Sequence, residues 1–291
     1  MSRFGHTGEA VERAHREQAA TVAERRALTH AFSTGLRRSV RQAATALAFG
    51  VAGGGVLVLA LAVLPLCRVL PGTPQMRDAR AQRFIHRAYR LLFAVMSRLG
   101  LCRFRFEGFE RLRTPGPHLI VANHPSLIDF GIVISQLPQA DCIVAESWAQ
   151  SFWFGRVARA AGYVVNSQGA AVVDECVARL RAGRTVLMFP EGTRSPPQGL
   201  WPFRRGAAHV ALRSGVDLEL VTIQCDPPAL RKGQPWWDVP DRRIEYLARA
   251  EEPVRARDRA WEGASDVLAA RRLTAVLRTR TIERLYRDPV Q

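Results

Sequence analysis

Two short blocks hold the residues best suited to chemistry: Asn123-His124-Pro125-Ser126-Leu127-Ile128-Asp129 and Phe189-Pro190-Glu191-Gly192-Thr193-Arg194-Ser195. One offers an imidazole and a carboxylate, the other a glycine turn that carries a cation. Together they suit a site that takes a proton from a hydroxyl while holding an anionic group, as acyl transfer to a phosphate-bearing alcohol requires.

On one straight helix, residues five apart point roughly 140° away from each other. Asp129 therefore reaches His124 only if the histidine stands outside the helix. Pro125 favours this, because proline fits a first helical position and bars helical geometry just before it. An imidazole held by a carboxylate on one nitrogen keeps the other basic and aimed. Ser126 is a candidate nucleophile by proximity, but it lacks the G-x-S-x-G elbow that would expose it. Taken alone, the block also reads as a capped helix start.

In the second block Pro190 ends a strand and Gly192 lets the backbone approach a ligand. Thr193 and Arg194 bring a hydroxyl and a planar cation suited to phosphate, and Glu191 can orient that cation or accept from a substrate hydroxyl. The bland alternative is an ordinary turn.

The elements that must position these residues alternate. Strand-like alternation over residues 103–107 is followed by apolar runs at 118–122, 142–145, 163–165, 185–189 and 218–224. Helical patterns lie at 128–136, 147–161, 170–181 and 205–213, and the tail after Arg257 has helical composition. This is the pattern of an α/β domain with an at least partly parallel central sheet. Ligands in such sheets sit at the carboxyl ends of strands, where both blocks begin.

The amino-terminal third differs. Residues 1–41 form a polar arm, and no charged residue occurs from 42 to 67. That run exceeds the ~20 residues a spanning helix needs. The long polar region before it and the lack of a small-x-small cleavage pattern argue against a signal peptide. Arginines flank both ends, so charge bias gives no clean orientation. Gly53-Gly54-Gly55 and Pro65 leave a single span and a re-entrant insertion both open. A second helix over 77–99 places Phe84, Ala88, Leu91, Leu92, Val95 and Leu99 on one side, with Arg80, Arg83, Arg87 and Arg90 beside them. Such a helix either lies in a lipid interface or packs its stripe on the domain.

Composition narrows the function classes. The chain has 291 residues, 47% hydrophobic, with a formal charge of +16 and one lysine, Lys232. The charge favours anionic partners. Without aromatics interleaved in a basic run, and without zinc-finger or basic-zipper spacing, nucleic acid is not expected. The five cysteines are scattered singly, which implies neither a disulfide framework nor a metal site and reads as buried thiols in a reducing compartment.

The two blocks, in order, resemble the signature N-H-x-x-x-x-D and F-P-E-G-T-R-S of the glycerolipid acyltransferase family, over roughly residues 103–224. The resemblance implies a glycerolipid acyltransferase-like α/β domain in which His124 and Asp129 are the catalytic pair. It implies that Glu191, Gly192, Thr193 and Arg194 hold the acceptor, and that Arg204 and Arg205 of Phe203-Arg204-Arg205-Gly206-Ala207 help hold anionic groups. The donor would be acyl-CoA or acyl carrier protein, the acceptor 1-acylglycerol-3-phosphate giving phosphatidic acid, with membrane lipid as partner and no cofactor. Two positions depart from the family pattern: Gly162-Tyr163-Val164-Val165 ends in Asn166 where an acceptor-binding arginine is usual, and Val221-Thr222-Ile223 lacks a proline. The segment from Cys225 to Trp237 resembles members associated with bacterial aryl polyene and related lipid clusters, whose acceptor differs. A membrane-bound lipid-binding protein without activity is the reading from another class. The division expected is a polar arm at 1–41, membrane-attachment helices at 42–100 and a catalytic domain at 101–291, at a bacterial inner membrane with that domain on the cytoplasmic side.

Overall fold

The computed structural model describes residues 35, 37–166 and 169–287. Most of the polar arm expected over residues 1–41 lies outside them. Helix α1 runs over Arg37–Val69 and is long and apolar enough to cross a membrane. The glycine run at 53–55 stays helical, so no hairpin forms there. Irregularity appears one turn later instead, as a π-helical turn at Leu59–Val63.

The inner face of α1 is set by small or compact residues, Thr45, Ala48, Ala60, Leu64 and Cys67, all buried. Its outer face leaves Leu47, Leu57, Val58, Leu61 and Leu66 exposed, the apolar surface of a membrane-associated helix. Both ends are fastened to the rest of the chain. Arg41 Nε donates to the Pro240 carbonyl at 2.9 Å, and Arg68 Nη2 to the Arg159 carbonyl at 3.4 Å.

Helix α2 covers Pro74–Arg98, with Thr73 accepting from the Met76 N–H at 3.2 Å and Pro74 in the first turn. Of the stripe read in the sequence, Ala88, Leu92 and Val95 are partly buried and the rest faces outward. Ala81, Gln82, Ile85, Phe93 and Met96 pack inward, whereas Phe84, Leu91 and Leu99 point out beside the arginines. Polar chemistry sets this rotation. Gln82 Nε2 donates to Asp141 Oδ1 and to the Ala161 carbonyl, each at 2.9 Å, and Phe93 stacks on Phe104 at 4.4 Å.

Seven strands form the sheet: β1 (Cys102–Glu107), β2 (Leu119–Ala122), β3 (Asp141–Ala145), β4 (Val164–Asn166), β5 (Val186–Met188), β6 (Leu218–Asp226) and β7 (Ile244–Ala250), in the order β1-β7-β6-β2-β5-β3-β4. All pairings are parallel except β6 with β7. Strand β7 was missed in the sequence, although Ile244, Tyr246, Ala248 and Ala250 alternate with Glu245, Leu247 and Arg249. Helices α3 (Asp129–Ile134), α4 (Glu146–Ala149), α5 (Phe152–Ala160), α6 (Ala170–Arg181), α7 (Gly206–Ser214) and α8 (Asp266–Arg287) cover the two faces. The single helix expected over 147–161 is thus two short ones.

The central position of β2 matters most for function. Its neighbours β5 and β6 both run parallel to it, so the residues that follow β2 and β5 emerge side by side at one edge.

Helices α2 and α3 approach closely because Gly131 has no side chain; a Cβ there would overlap the Tyr89 ring. Gly131→Ala is therefore expected to destabilise the protein by about 1–3 kcal/mol, the usual result of overpacking a core. Denaturant unfolding monitored by tryptophan fluorescence measures it.

Candidate active site

Helix α3 begins at Asp129, four residues later than Pro125, so the proline does not open the helix. Residues 123–128 form a non-helical turn instead, and it is this turn that folds Asp129 back to the histidine. His124 Nδ1 lies 2.7 Å from Asp129 Oδ2. An ionised carboxylate can only accept, so Nδ1 carries the proton and Nε2 keeps its lone pair. Phe189 stacks on the imidazole, with centroids 4.5 Å apart and planes 28° from parallel. The ring lines a cavity of about 570 Å³.

Asp129 is wholly buried. Ser126 supplies two donors to it, its backbone N–H to Oδ2 at 2.6 Å and its hydroxyl to Oδ1 at 2.5 Å. Burial pushes the Asp129 carboxyl up from its ordinary range, against the opposing pull of His124 and of the two Ser126 donors. Ser126 is itself fully buried and does not line the cavity, so the structure removes it as a nucleophile and makes it a support of the carboxylate.

The first residue of the block has a clear role. Asn123 Oδ1 accepts from the Ile223 N–H at 2.7 Å and Nδ2 donates to the Ile223 carbonyl at 2.9 Å. Its carboxamide imitates a peptide group and extends the β2–β6 ladder by one rung, which fixes where the following histidine leaves the sheet.

The second block stands beside the first. Ser195 N–H donates to the His124 carbonyl at 2.7 Å. The Glu191 carboxylate accepts from the His124 N–H (3.2 Å), the Ser195 hydroxyl (2.6 Å) and the Trp201 N–H (3.0 Å). Glu191 is buried and absent from the cavity lining, and its oxygens hold two backbone N–H groups and the Ser195 hydroxyl. Gly192, Thr193 and Arg194 do line the cavity, as do Asn166 and Arg204; Arg205 does not, and instead precedes α7. Gly192 has φ +68°, and a Cβ there would lie 2.7 Å from Arg204 Nε, so the glycine both makes the turn and leaves space for the guanidinium.

The remaining wall is apolar, with Phe130, Ile143, Val144, Val172, Val173 and Met188. Lys232 also lines the cavity and was not recognised in the sequence as a site residue. Nor were Phe189 and Ser195 given roles; both stand inside the second block and could have been suspected from it. The cavity thus joins an oriented base, a cationic rim and a greasy wall able to hold a hydrocarbon chain.

A family profile described as Acyltransferase matches residues 103–225. The 1-acyl-sn-glycerol-3-phosphate acyltransferase alpha of Mus musculus is 26% identical over 174 residues, which cover 57% of this chain and 57% of that protein. The chloroplastic 1-acyl-sn-glycerol-3-phosphate acyltransferase BAT2 of Brassica napus is 28% identical over 157 residues, 50% of this chain and 44% of that one. The chain spans about half the length of the curated relatives it matches. The crystal structure of the 1-acyl-sn-glycerophosphate acyltransferase PlsC from Thermotoga maritima has the same fold. Its TM-score is 0.65 at 20% identity, over 89% of this chain and 100% of that one.

The Ser126 contacts give a direct test. Ser126→Ala leaves one oxygen of a buried carboxylate without its hydroxyl donor, so stability is expected to fall by about 1–3 kcal/mol. Chemical denaturation of the variant beside the parent checks this; an unchanged midpoint would contradict it.

Proposed function

We propose that this chain, whose residues 103–225 match the Acyltransferase profile, moves an acyl group from a thioester donor, acyl-CoA or acyl carrier protein, to the hydroxyl of a lysophospholipid, as its resemblance to the glycerolipid acyltransferase family implies. The acceptor is 1-acylglycerol-3-phosphate and the product phosphatidic acid. One observation carries this reading: the 2.7 Å contact of His124 with Asp129, beside an apolar cavity with a cationic rim.

His124 Nε2 takes the proton of the acceptor hydroxyl as its oxygen attacks the thioester carbon. Asp129 keeps the imidazole in the tautomer that leaves Nε2 free and stabilises the imidazolium formed. When the carbon–sulfur bond breaks, the imidazolium returns its proton to the leaving thiolate. The acyl chain lies along Ile143, Val144, Val172 and Met188, while Gly192, Thr193, Arg194 and Arg204 face the anionic part of the acceptor. Asn166, in the same lining, is a neutral hydrogen-bonding neighbour. Glu191 acts through the backbone it holds and is a positioning residue.

Residues 42–100 attach the protein to membrane lipid and residues 101–291 carry the chemistry. We place the protein at a bacterial inner membrane with the catalytic domain facing the cytoplasm, where acyl thioesters are available and single buried cysteines stay reduced.

Purified protein with a radiolabelled acyl-CoA and 1-acylglycerol-3-phosphate should yield labelled phosphatidic acid. His124→Ala is expected to lower kcat by at least ~10²-fold with little change in folding. Asp129→Asn should be comparably severe, because a neutral amide neither selects the tautomer nor stabilises the imidazolium. Ser126→Ala should retain turnover, since the serine forms no covalent bond to the substrate. Near-normal rates in a folded His124→Ala protein would refute the assignment.

A further inference from the structure

The cations of the cavity are unbalanced. Arg194, Arg204 and Lys232 line it, and among the described residues no aspartate or glutamate does. Such a wall selects an anion, and an uncompensated cluster of cations is stable only with a solvated or liganded face.

Lys232 is the only lysine in the chain, and its position is held by structure on both sides. It lies on the connection between β6 and β7, where Leu230 adopts φ 55°, a left-handed conformation unfavourable for a branched side chain. That conformation persists because the Leu230 carbonyl accepts twice, from the Leu127 N–H at 3.0 Å and from Arg194 Nη1 at 2.9 Å. The bonds reach both motif blocks. Four residues after Leu230, Gln234 closes a turn with Arg231, its side-chain oxygen accepting from the Arg231 N–H at 3.0 Å. Lys232 Nζ, carried on this turn, donates to Thr193 Oγ1 at 3.2 Å. Arg194 and Lys232 also border a neighbouring hollow of about 440 Å³, whose rim includes Arg231 and Asp238, so they stand where the two spaces meet. The Asp238 carboxylate there is engaged by Gln234 Nε2 at 3.1 Å.

We infer that Lys232, outside both motif blocks, is a further residue for binding a phosphomonoester at the cavity mouth, its ammonium set beside the Thr193 hydroxyl and the Arg194 guanidinium of the second block. The inference rests on the acyl-transfer reading for its two sources of that group, the acceptor's 3-phosphate and the 3′-phosphate of CoA. A compact ammonium serves as a point charge and the arginine, already bonded once to Leu230, offers its remaining N–H groups.

A single lysine makes the test clean. Reductive methylation with ¹³C-formaldehyde labels only Lys232 and the amino terminus, keeps the charge, and the two signals separate by pH titration because an α-amine loses its proton well below a lysine. Full-length protein in detergent is titrated with 1-acylglycerol-3-phosphate, 1-acylglycerol, CoA and dephospho-CoA. A shift of the lysine signal by 1-acylglycerol-3-phosphate but not by 1-acylglycerol places the acceptor's phosphate at Lys232. A shift by CoA but not by dephospho-CoA places the donor's. No shift with either phosphomonoester, at concentrations that raise the protein's melting temperature, overturns the inference.

In kinetics, Lys232→Gln should raise KM for the same ligand by about 10-fold to 100-fold, the loss expected for a charged hydrogen bond, with kcat within about twofold. Unchanged KM for both donor and acceptor also overturns it. If the parent protein transfers no acyl group, the reading of the function fails, while the lysine signal still decides whether this site binds phosphate.

Discussion

A carboxylate taken out of water must be met by donors or it loses its charge, and Glu191 is met by three from three different segments. One is the backbone of the proposed general base. Another is a hydroxyl four residues further along its own loop, and the third is the backbone that leads into α7. The two motif blocks are therefore two halves of one hydrogen-bonded object, closed on the other side by the Ser195 N–H and the His124 carbonyl. Remove that carboxylate and the turns after β2 and β5 are tied only through Ser195, whose N–H donates to the His124 carbonyl and whose hydroxyl accepts from the His124 N–H.

The sheet supplies the frame for this object. Because β5 and β6 both flank β2 in parallel, everything that follows the central strands converges at one edge. Asn123 then adds a rung to the ladder with its side chain, so the histidine is displaced from the strand end by a fixed amount. Asp129 approaches from a helix that starts late, with a buried serine to keep its charge tolerable. A turn pinned to the sheet carries His124 and the first residue of a helix is Asp129, while loops carry the cations around them.

The strands β2, β3, β5 and β6 were legible in the sequence because buried parallel strands read as continuous apolar runs bounded by turns. The His124–Asp129 pairing was legible for a geometric reason, since their spacing excludes a shared helix. Pro125 misled the helix boundary, because proline is equally at home in the turn that precedes a helix. The rotation of α2 was hidden for a different reason. Its apolar stripe is wide, and Gln82, a polar residue that no hydropathy pattern would send inward, fixes which part faces the core. Glu191 and Lys232 show the common limit. A residue type advertises what it can bond to, but only the packing decides whether its partner is backbone, hydroxyl or ligand.

The fastening of α1 at Arg41 and again at Arg68 carries a geometric consequence. At about 1.5 Å per residue these anchor points are roughly 40 Å apart along the helix, longer than the ~30 Å of a hydrocarbon layer. A rod bonded at both ends to the same body keeps one orientation relative to it, so helix and domain turn as a single piece. The charge-free run is therefore measured out against the domain it lies beside, from the Pro240 carbonyl to the Arg159 carbonyl. The outward leucines Leu47, Leu57, Leu61 and Leu66 then give that combined piece one apolar flank whose direction the domain dictates.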